Sequence, residues 1–323
     1  MAAGQDAGGG KIKLGIARCL LGVEVRYDGT HKLDRYLRDV LGEFVEWVPV
    51  CPEVECGMPV PREAVRLVGE VESPGLFGRK SGTDFTQQMR GWGLERLAAL
   101  ESEDLCGYVF RYGSPSSGMS RVKVYQANGH PRHDGVGFWA RMFMERFPEL
   151  PCEDDGRLRN PQIRENFITR VFTLKRWREA MAGGHSSGAL VGFHTRHKLL
   201  LMSHSVEMYR VMGKLVATAG SAEPQALFAE YFGLLQKALS FMPTVKKHTN
   251  VLTHVQGYFK KQLSPGEKQE LVELIEQYRL ELIPLVVPVT LLNHYVRKYE
   301  QGYLQDQVYL WPYPTELMLR NHV

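Results

Sequence analysis

The stretch from Lys11 to Gly22, KIKLGIARCLLG, decides the fold of the first half of the chain. It is an apolar run of β type that ends near Cys19 and turns at Gly22. Two later stretches have the same plan: FVEWVP at 44–49 leads to Cys51, and GYVFRY at 107–112 leads into the loop GSPSSGMS. The segments between them are long enough to hold crossover helices, so the pattern predicts parallel strands in one sheet.

Chemically active side chains follow these predicted strands. Cys19 stands at the exit of the first strand, Cys51 at the exit of the second, and Ser114, Ser116 and Ser117 follow the third. The carboxyl ends of parallel strands share one edge of the sheet, where open α/β sheets place their ligands. We therefore expect both cysteines and the serine loop to meet at one point.

The remaining elements follow from periodicity. HKLDRYLRDVLGEF at 31–44, QQMRGWGLERLAALES at 87–102 and GVGFWARMFMERFPEL at 135–150 predict helices, residues 63–82 predict short strands or a hairpin, and RVKVYQ at 121–126 predicts a strand. The polar segment 151–161, PCEDDGRLRNP, predicts a linker, and 1–10 a flexible tail. The sequence thus predicts an α/β domain over 11–150 and an all-α helical domain over 162–323.

Seven helical segments are predicted in this second domain. They are 163–181, 190–204, 206–219, 223–242, 245–263, 265–282 and 287–301. Met208, Met212 and Leu215 belong to one apolar stripe, as a helix of a bundle requires.

Charge and composition exclude several classes of protein. With 44% hydrophobic residues the chain can bury two cores, and no apolar run approaches the roughly 18 residues of a membrane span. The first ten residues lack a basic cluster followed by an apolar core, so we expect a cytoplasmic protein without a membrane partner. Residues 161–323 carry 19 Lys and Arg against 13 Asp and Glu, a modest basic excess.

The five cysteines, Cys19, Cys51, Cys56, Cys106 and Cys152, are an odd number in a chain without an export signal. A disulfide framework is therefore disfavoured, which leaves buried structural thiols or metal ligation. Thiolates on loops at one sheet edge suit a soft metal, and three of them around an iron–sulfur cluster would leave one iron open. Glu53, Asp28 and Arg62 lie in neighbouring loops, and a carboxylate there could act as a general acid or base.

Four ordered blocks carry a family resemblance. ARCLLGVEVRYDG, PVCPEVECGMPVPR, GTDFT and YGSPSSGMSRVKVY resemble the bacterial domain family that includes the thiouracil desulfidases. FHTRHKLLLMSH, HTNVLTHVQGYFK and YLQDQVYLWPYPTELMLRN resemble the YbgA-type helical domain that is often fused to it. The resemblance implies a Rossmann-like fold and a [4Fe-4S] cluster that accepts sulfur from a thiocarbonyl substrate.

The resemblance also assigns roles by position. Cys19 and Cys51 match two cluster ligands, whereas the third, the cysteine of an SPSCG block, is Ser117 here. A hydroxyl is a harder and less acidic ligand, so cluster binding is weakened or lost unless Cys56 substitutes, or Cys106, which we expect at the opposite sheet edge.

Other positions match groups around the substrate. Glu53 matches the acid/base and Ser114 the assisting serine. We expect Asp28, Arg62 and Ser116 to contact substrate.

The helical domain offers two weaker signals. His194, His197 and His204 fall within one 80° sector of a helix at about 100° per residue, and His248 or His254 could complete a metal site. No acidic residue lies on that helix, which favours the interpretation that these histidines hydrogen-bond inside the bundle.

The second signal is a group of lysines, Lys246, Lys247, Lys260 and Lys261, which flank a histidine segment close to Tyr258 and Phe259. Lysines among aromatics suit contact with looped RNA, although a solvated helix end has the same composition.

Two functions follow. The leading hypothesis is an iron–sulfur desulfidase that removes sulfur from a thiolated pyrimidine or a related thio-compound. The alternative is a non-catalytic descendant, with Ser117 in place of the third cysteine, whose helical domain binds nucleic acid or a protein partner.

Overall fold

The computed structural model describes residues 11–220 and 223–322, so the predicted tail 1–10 lies outside the described residues. The chain divides into two compact units at Asn160 and Pro161. The first unit is α/β and the second is helical, as the sequence predicted.

A four-stranded parallel sheet organises the first unit. Its strands are β1 (Ile12–Ala17), β2 (Val45–Val50), β5 (Tyr108–Phe110) and β8 (Cys152–Asp154), in the order β2-β1-β5-β8. The register pairs Ile12 with Val45 and Gly15 with Tyr108. The three strands predicted to be parallel are therefore confirmed, with β1 between the other two.

Large apolar side chains cover this sheet. Tyr108 and Phe143 pack ring against ring at 4.5 Å, and the indole nitrogen of Trp139 donates to the Tyr108 hydroxyl at 3.3 Å. Trp139 and Phe143 belong to α3 (Phe138–Arg146), a helix that the sequence predicted. A Cβ on Gly15 would lie 2.2 Å from the Tyr108 ring, so only glycine permits this close approach.

A second, mixed sheet lies in the same unit. It contains β3 (Val65–Val68), β4 (Gly75–Gly78), β6 (Val122–Tyr125) and β7 (Pro131–Gly135), in the order β4-β3-β6-β7. The predicted hairpin is the antiparallel pair β3 and β4, and α2 (Thr86–Glu101) follows as expected. The carboxylate of Asp84 accepts the Thr86 N–H at 2.8 Å at the start of α2.

Two predictions for this unit were wrong. The segment 31–44 is not an α-helix but one π turn, Tyr36–Val40, and one 3-10 turn, Leu41–Glu43. Residues 31–34 have no regular structure, and the Asp34 carboxylate accepts the Leu37 N–H at 3.0 Å. The segment 151–161 is not only a linker, since it contains β8, which pairs with β5. Its acidic residues indicated a loop, but the Asp155 carboxylate is held by Arg111 at 2.9 Å.

The second unit consists of helices joined by short connections. Their bounds are α4 (Pro161–Met181), α5 (Ser187–His204), α6 (Val206–Ala217), α7 (Pro224–Ser240), α8 (Val245–Gln256), α9 (Pro265–Arg279), α10 (Val286–Lys298) and α11 (Gly302–Gln305). The seven predicted segments match α4 to α10 within a few residues at each end, except that α8 ends earlier. Ser264 and Glu267 form a capping box at the start of α9, which explains that boundary.

The helical core is rich in aromatics, with Trp177 stacked on Tyr231 at 5.4 Å and Phe259 fully buried. Within the described parts of the chain, no helix is long and apolar enough to cross a bilayer.

Candidate functional site

The exits of β1, β2 and β5 converge on one cavity of about 280 Å³. Cys19 lies in the 3-10 turn Arg18–Leu21 that follows β1, and Cys51 caps the short helix α1 (Pro52–Glu55) that follows β2. The cavity is lined by side chains that can take part in chemistry, among them Cys19, Cys51, Glu53, Arg62, Ser114 and Ser117. The prediction that the two cysteines and the serine loop meet at one sheet edge is confirmed.

The serine loop is shaped by its own hydrogen bonds. The Ser114 hydroxyl accepts the N–H of Ser117 at 3.0 Å and that of Ser116 at 3.3 Å. Gly118 closes the turn by donating its N–H to the Ser114 carbonyl at 2.8 Å. A Cβ at Gly118 would lie 2.7 Å from that carbonyl, so the loop requires glycine there.

Glu53 is the carboxylate of the cavity. One oxygen, Oε1, accepts the Ser116 hydroxyl at 2.6 Å, and the other, Oε2, lies 3.7 Å from Cys51 Sγ and 3.8 Å from the Arg62 guanidinium. The first contact is a short, charge-assisted bond, whereas the other two are long. Oε2 is therefore held in place but is weakly engaged by the protein.

Burial governs the two thiols. Loss of water and, to a smaller extent, the nearby Glu53 carboxylate raise the pKa of Cys19 to about 11. The same two causes raise the pKa of Cys51 to about 12. Both thiols are therefore protonated at neutral pH in the protein by itself.

Two predicted residues lie elsewhere. Asp28 is outside the lining of this cavity, and hydrogen bonds from Thr30 lower the pKa of its carboxyl to about 2. Ser116 is 1% exposed and contacts Glu53 behind the cavity wall, so its hydroxyl holds the carboxylate. Arg62, in contrast, does line the cavity, and its Nη1 donates to the Val25 carbonyl at 3.1 Å.

Cys56, the possible substitute for the third cysteine, is not at the cavity, and Cys106 lies at the opposite sheet edge, as predicted. Cys56 packs into the core beneath the second sheet, where its thiol donates to the Glu53 carbonyl at 3.3 Å. The Cys106 N–H donates to the Lys13 carbonyl at the start of β1, at the opposite edge of the parallel sheet. A loop with two cysteines in six residues suggested a spare ligand, but the turn of α1 directs Cys56 away.

The donor set can be compared with what a cluster needs. The cavity supplies two thiols and the Ser117 hydroxyl, and within residues 11–220 and 223–322 no group of three His, Cys, Asp or Glu side chains is placed to hold a metal ion. A hydroxyl is a hard ligand that ionises far less readily than a thiol. These residues do not fit a [4Fe-4S] cluster bound by three thiolates.

Sequence reasoning missed Arg26 and Arg111, which also line the cavity. Arg111 directly follows β5, so the strand-exit rule that identified Ser114 would have found it. Arg26 offered no such signal, because it reaches the cavity from the irregular loop after Gly22.

The three histidines of α5 and His248 of α8 are buried hydrogen-bonding groups. His194 Nδ1 pairs with the Tyr231 hydroxyl at 3.1 Å, and His197 Nδ1 lies 2.8 Å from the Phe193 carbonyl. Burial lowers the pKa of His194 to about 4 and that of His197 to about 3. They are therefore neutral at pH 7, as the interpretation of hydrogen bonding inside the bundle requires.

Only some of the lysine and aromatic side chains around α8 are exposed. Phe259 is fully buried, and Lys247 donates to the carbonyls of His204 and Met242 at the start of α8. Tyr258 is 38% exposed and stacks on Tyr303 at 5.2 Å. Lys260 and Lys261 are exposed beside it. We call Tyr258, Lys260, Lys261 and Tyr303 the tyrosine–lysine patch.

Comparison with known proteins matches each unit to a different group. The 2-thiouracil desulfurase family matches residues 14–155, and a family described as a protein of unknown function, DUF1722, matches residues 198–314. YbgA of Escherichia coli is 32% identical over 158 residues, which are 49% of this chain and 94% of YbgA. YbbK of Bacillus subtilis is 29% identical over 112 residues, which are 33% of this chain and 74% of YbbK.

Among solved structures, a [4Fe-4S]-dependent thiouracil desulfidase, TudS, is 27% identical to this chain. The match covers 46% of this chain and 94% of TudS, with a TM-score of 0.39.

Proposed function

Because the chain belongs to the 2-thiouracil desulfurase family through its first unit and to the DUF1722 family of YbgA through its second, we propose that its α/β cavity binds a thiolated pyrimidine or a related thio-compound. One observation carries this proposal: Cys19, Cys51, Glu53 and Ser114 line a single cavity of about 280 Å³. That volume is close to the lower end of ligand pockets, which begin near roughly 300 Å³.

The side chains of the cavity suit such a ligand. Glu53 Oε2 is available to accept a ring N–H, and the Arg62 guanidinium can donate to a ring carbonyl. The protonated thiols of Cys19 and Cys51 offer soft, polarisable contacts to a thiocarbonyl sulfur. Ser116 acts through Glu53, whose carboxylate it holds at 2.6 Å.

Ser117 decides between two functions for this site. Since two thiols and a hydroxyl do not match a three-thiolate cluster, the first candidate is binding of the thio-compound without removal of its sulfur. The second is desulfidation with a [4Fe-4S] cluster, which is favoured by the retained Glu53 and its Ser116 support. A cluster would supply an open iron for the sulfur, and Cys19 and Cys51 would be its two thiolate ligands.

One experiment separates the candidates. Iron and acid-labile sulfide per chain are measured after anaerobic reconstitution of the wild type, Ser117→Cys and the control Ser73→Cys, which adds a thiol at an exposed position. We expect a cluster in Ser117→Cys alone. A stable cluster in the wild type, together with conversion of 2-thiouracil to uracil, would reject the binding-only function and support the second.

Binding itself is tested by calorimetry of the wild type with 2-thiouracil and with uracil. We expect tighter binding of the thio-compound and weaker binding in Glu53→Ala. If the wild type binds neither compound, the proposal for this cavity fails.

For the helical unit we propose contact with RNA through the tyrosine–lysine patch. Its support is the exposed Tyr258 ring stacked on Tyr303, with Lys260 and Lys261 adjacent in sequence. An exposed aromatic ring next to lysines can stack on an unpaired base while the ammonium groups contact phosphates.

A further inference from the structure

The helical unit encloses a second cavity, of about 120 Å³, for which the sequence offered no motif. It lies where the start of α4, the end of α5, the start of α8 and the C-terminal segment meet. Polar residues, including His204, His248 and Arg320, face apolar walls that include Leu200 and Val245. These residues are far apart in the chain, so only the packing of the helices brings them together.

Three side chains of this cavity are more than nine-tenths buried and keep one polar atom free. The exposed fractions of His204, His248 and Arg320 are 1%, 7% and 8%. His204 Nδ1 contacts the Phe241 carbonyl at 2.8 Å, and His248 Nδ1 contacts the Tyr309 hydroxyl at 3.0 Å. Each ring therefore keeps its Nε2 without a hydrogen bond to any described residue.

Arg320 is similar. Its Nε donates to Glu165 Oε1 at 3.2 Å and its Nη1 to the Tyr309 carbonyl at 2.8 Å, and its side chain also hydrogen-bonds with Tyr313. A guanidinium has five N–H groups, so N–H groups remain for a ligand in the cavity. Both histidine Nε2 atoms remain accessible from the cavity, so a ligand that enters it can hydrogen-bond to them and to the arginine.

The free atoms have defined roles. Because the Phe241 carbonyl can only accept, His204 carries its proton on Nδ1, and its Nε2 is an acceptor. Arg320 Nη2 is a donor. The site thus matches a ligand that offers an N–H and a carbonyl oxygen.

The charges of the cavity exclude ions. Arg320 is paired with Glu165, and Glu281 adds a second carboxylate to the lining, so an anion meets no excess of positive charge. Burial lowers the pKa of His204 to about 4 and that of His248 well below its ordinary value, which keeps both rings neutral. Within the described chain no three His, Cys, Asp or Glu side chains are grouped to hold a metal ion.

Size narrows the ligand further. An apolar protein cavity of roughly 150 Å³ holds one benzene molecule. A cavity of about 120 Å³ is therefore matched to one six-membered ring and is too small for a fused two-ring base.

We propose that this cavity binds an uncharged single-ring nitrogen heterocycle of the pyrimidine-base type, whose N–H is accepted by His204 Nε2 and whose carbonyl is bound by Arg320 Nη2. The base can come from two sources, a free pyrimidine or a base extruded from RNA. The site belongs to the helical unit and does not depend on the function proposed for the α/β cavity.

The test uses variants that remove only the free nitrogen. In His204→Asn the amide nitrogen can still donate to the Phe241 carbonyl, but no atom replaces Nε2, and His248→Asn makes the same change beside Tyr309. His294→Asn is the matched control, because this exposed histidine of α10 does not line the cavity. Thermal unfolding of each variant verifies that the fold is retained.

The readout is NMR of the full chain with labelled histidine rings. Among the described residues, no histidine lines the α/β cavity, so shifts of the His204 and His248 signals report on the cavity of the helical unit. We expect uracil to shift both signals, to leave His294 unchanged and to bind about tenfold more weakly to His204→Asn, the effect of one hydrogen bond. Adenine is the size control and should shift neither.

The outcomes show whether the base is free or part of RNA, and whether it binds in this cavity. Shifts with free uracil support a free base, and shifts with single-stranded oligouridine alone support a base of RNA. No shift with either probe overturns the proposal, as does an equal response to adenine or inorganic phosphate. Equal uracil affinity in the wild type and in a folded His204→Asn also overturns it.

Discussion

Two Arg–Glu pairs, one in each unit, line the two cavities and differ in how tightly they are held. Arg320 and Glu165 are 3.2 Å apart, and Glu165 also accepts the Tyr313 hydroxyl at 2.8 Å. Arg62 and Glu53 are 3.8 Å apart, and the firm partner of Glu53 is Ser116. Both glutamates are about equally buried, with 15% and 14% of their side chains exposed.

The difference concerns which group is free to act. In the helical unit the Glu165 carboxylate is engaged by Arg320 and Tyr313. The atoms left for a ligand there belong to Arg320, His204 and His248. In the α/β unit the carboxylate itself keeps one oxygen weakly engaged. Glu165 is therefore a structural group, whereas Glu53 keeps one oxygen with only long contacts, at 3.7 Å and 3.8 Å.

The largest expected effect is a loss of folding stability in acid, which arises from His197 in the helical unit. The folded-state pKa of His197 is about 3, below the ordinary 6.5, so the unfolded chain takes up its proton first. The contribution of neutral His197 to the free energy of unfolding is complete above pH 6.5. It is lost as the pH falls towards 3, which lowers the free energy of unfolding by about 4 kcal/mol. The thiols of Cys19 and Cys51 in the α/β cavity stay protonated throughout this range.

Acid titration followed by circular dichroism tests this expectation. His197→Phe, which keeps an aromatic ring against Phe193, should unfold at lower pH than the wild type. Coincident acid transitions of the two proteins would contradict it.

The second effect compares the two glutamates directly. Glu165→Gln leaves the Arg320 charge buried without its partner and should lower the free energy of unfolding by about 3 kcal/mol. Glu53→Gln, the matched change at the looser pair, should cost less than about 1 kcal/mol. Urea denaturation of both variants measures the difference, and equal losses would show that the pairs are equivalent.

The third effect concerns the support of Glu53. Ser116→Ala removes a short bond to a carboxylate, and we expect a loss of about 2 kcal/mol in unfolding free energy. Ser73→Ala, at an exposed position, is the control and should change little. Binding of 2-thiouracil should weaken in Ser116→Ala because Glu53 loses its fixed orientation, and unchanged binding would remove Ser116 from the site.

The smallest effect contrasts the surface of the helical unit with its cavity. The double variant Lys260→Ala, Lys261→Ala should weaken binding of labelled single-stranded RNA and reduce the slope of log affinity against log salt by about one to two. Lys237→Ala removes an exposed lysine of α7 and should leave the slope unchanged. Fluorescence anisotropy across a salt series gives both values, and equal slopes would exclude the tyrosine–lysine patch.

The sequence was a reliable guide where a motif follows a strand. Short apolar runs bounded by Gly and Pro identified β1, β2 and β5, and the rule that parallel strands share one carboxyl edge then placed Cys19, Cys51 and Ser114 together. It was a poor guide at 31–44, where helical spacing is present but only π and 3-10 turns form. It also missed β8, because an edge strand of three residues carries too little pattern against its acidic neighbours.

What the sequence by itself determined is the order of the elements and the edge of the sheet at which the cysteines and serines lie, since both follow from local spacing and the handedness of crossovers. Only the tertiary structure decided that Cys56 turns into a core, that Ser116 stands behind Glu53, and that His204, His248 and Arg320 share a cavity. Those facts depend on side-chain directions and on contacts between residues distant in the chain, and local spacing carries no information about either.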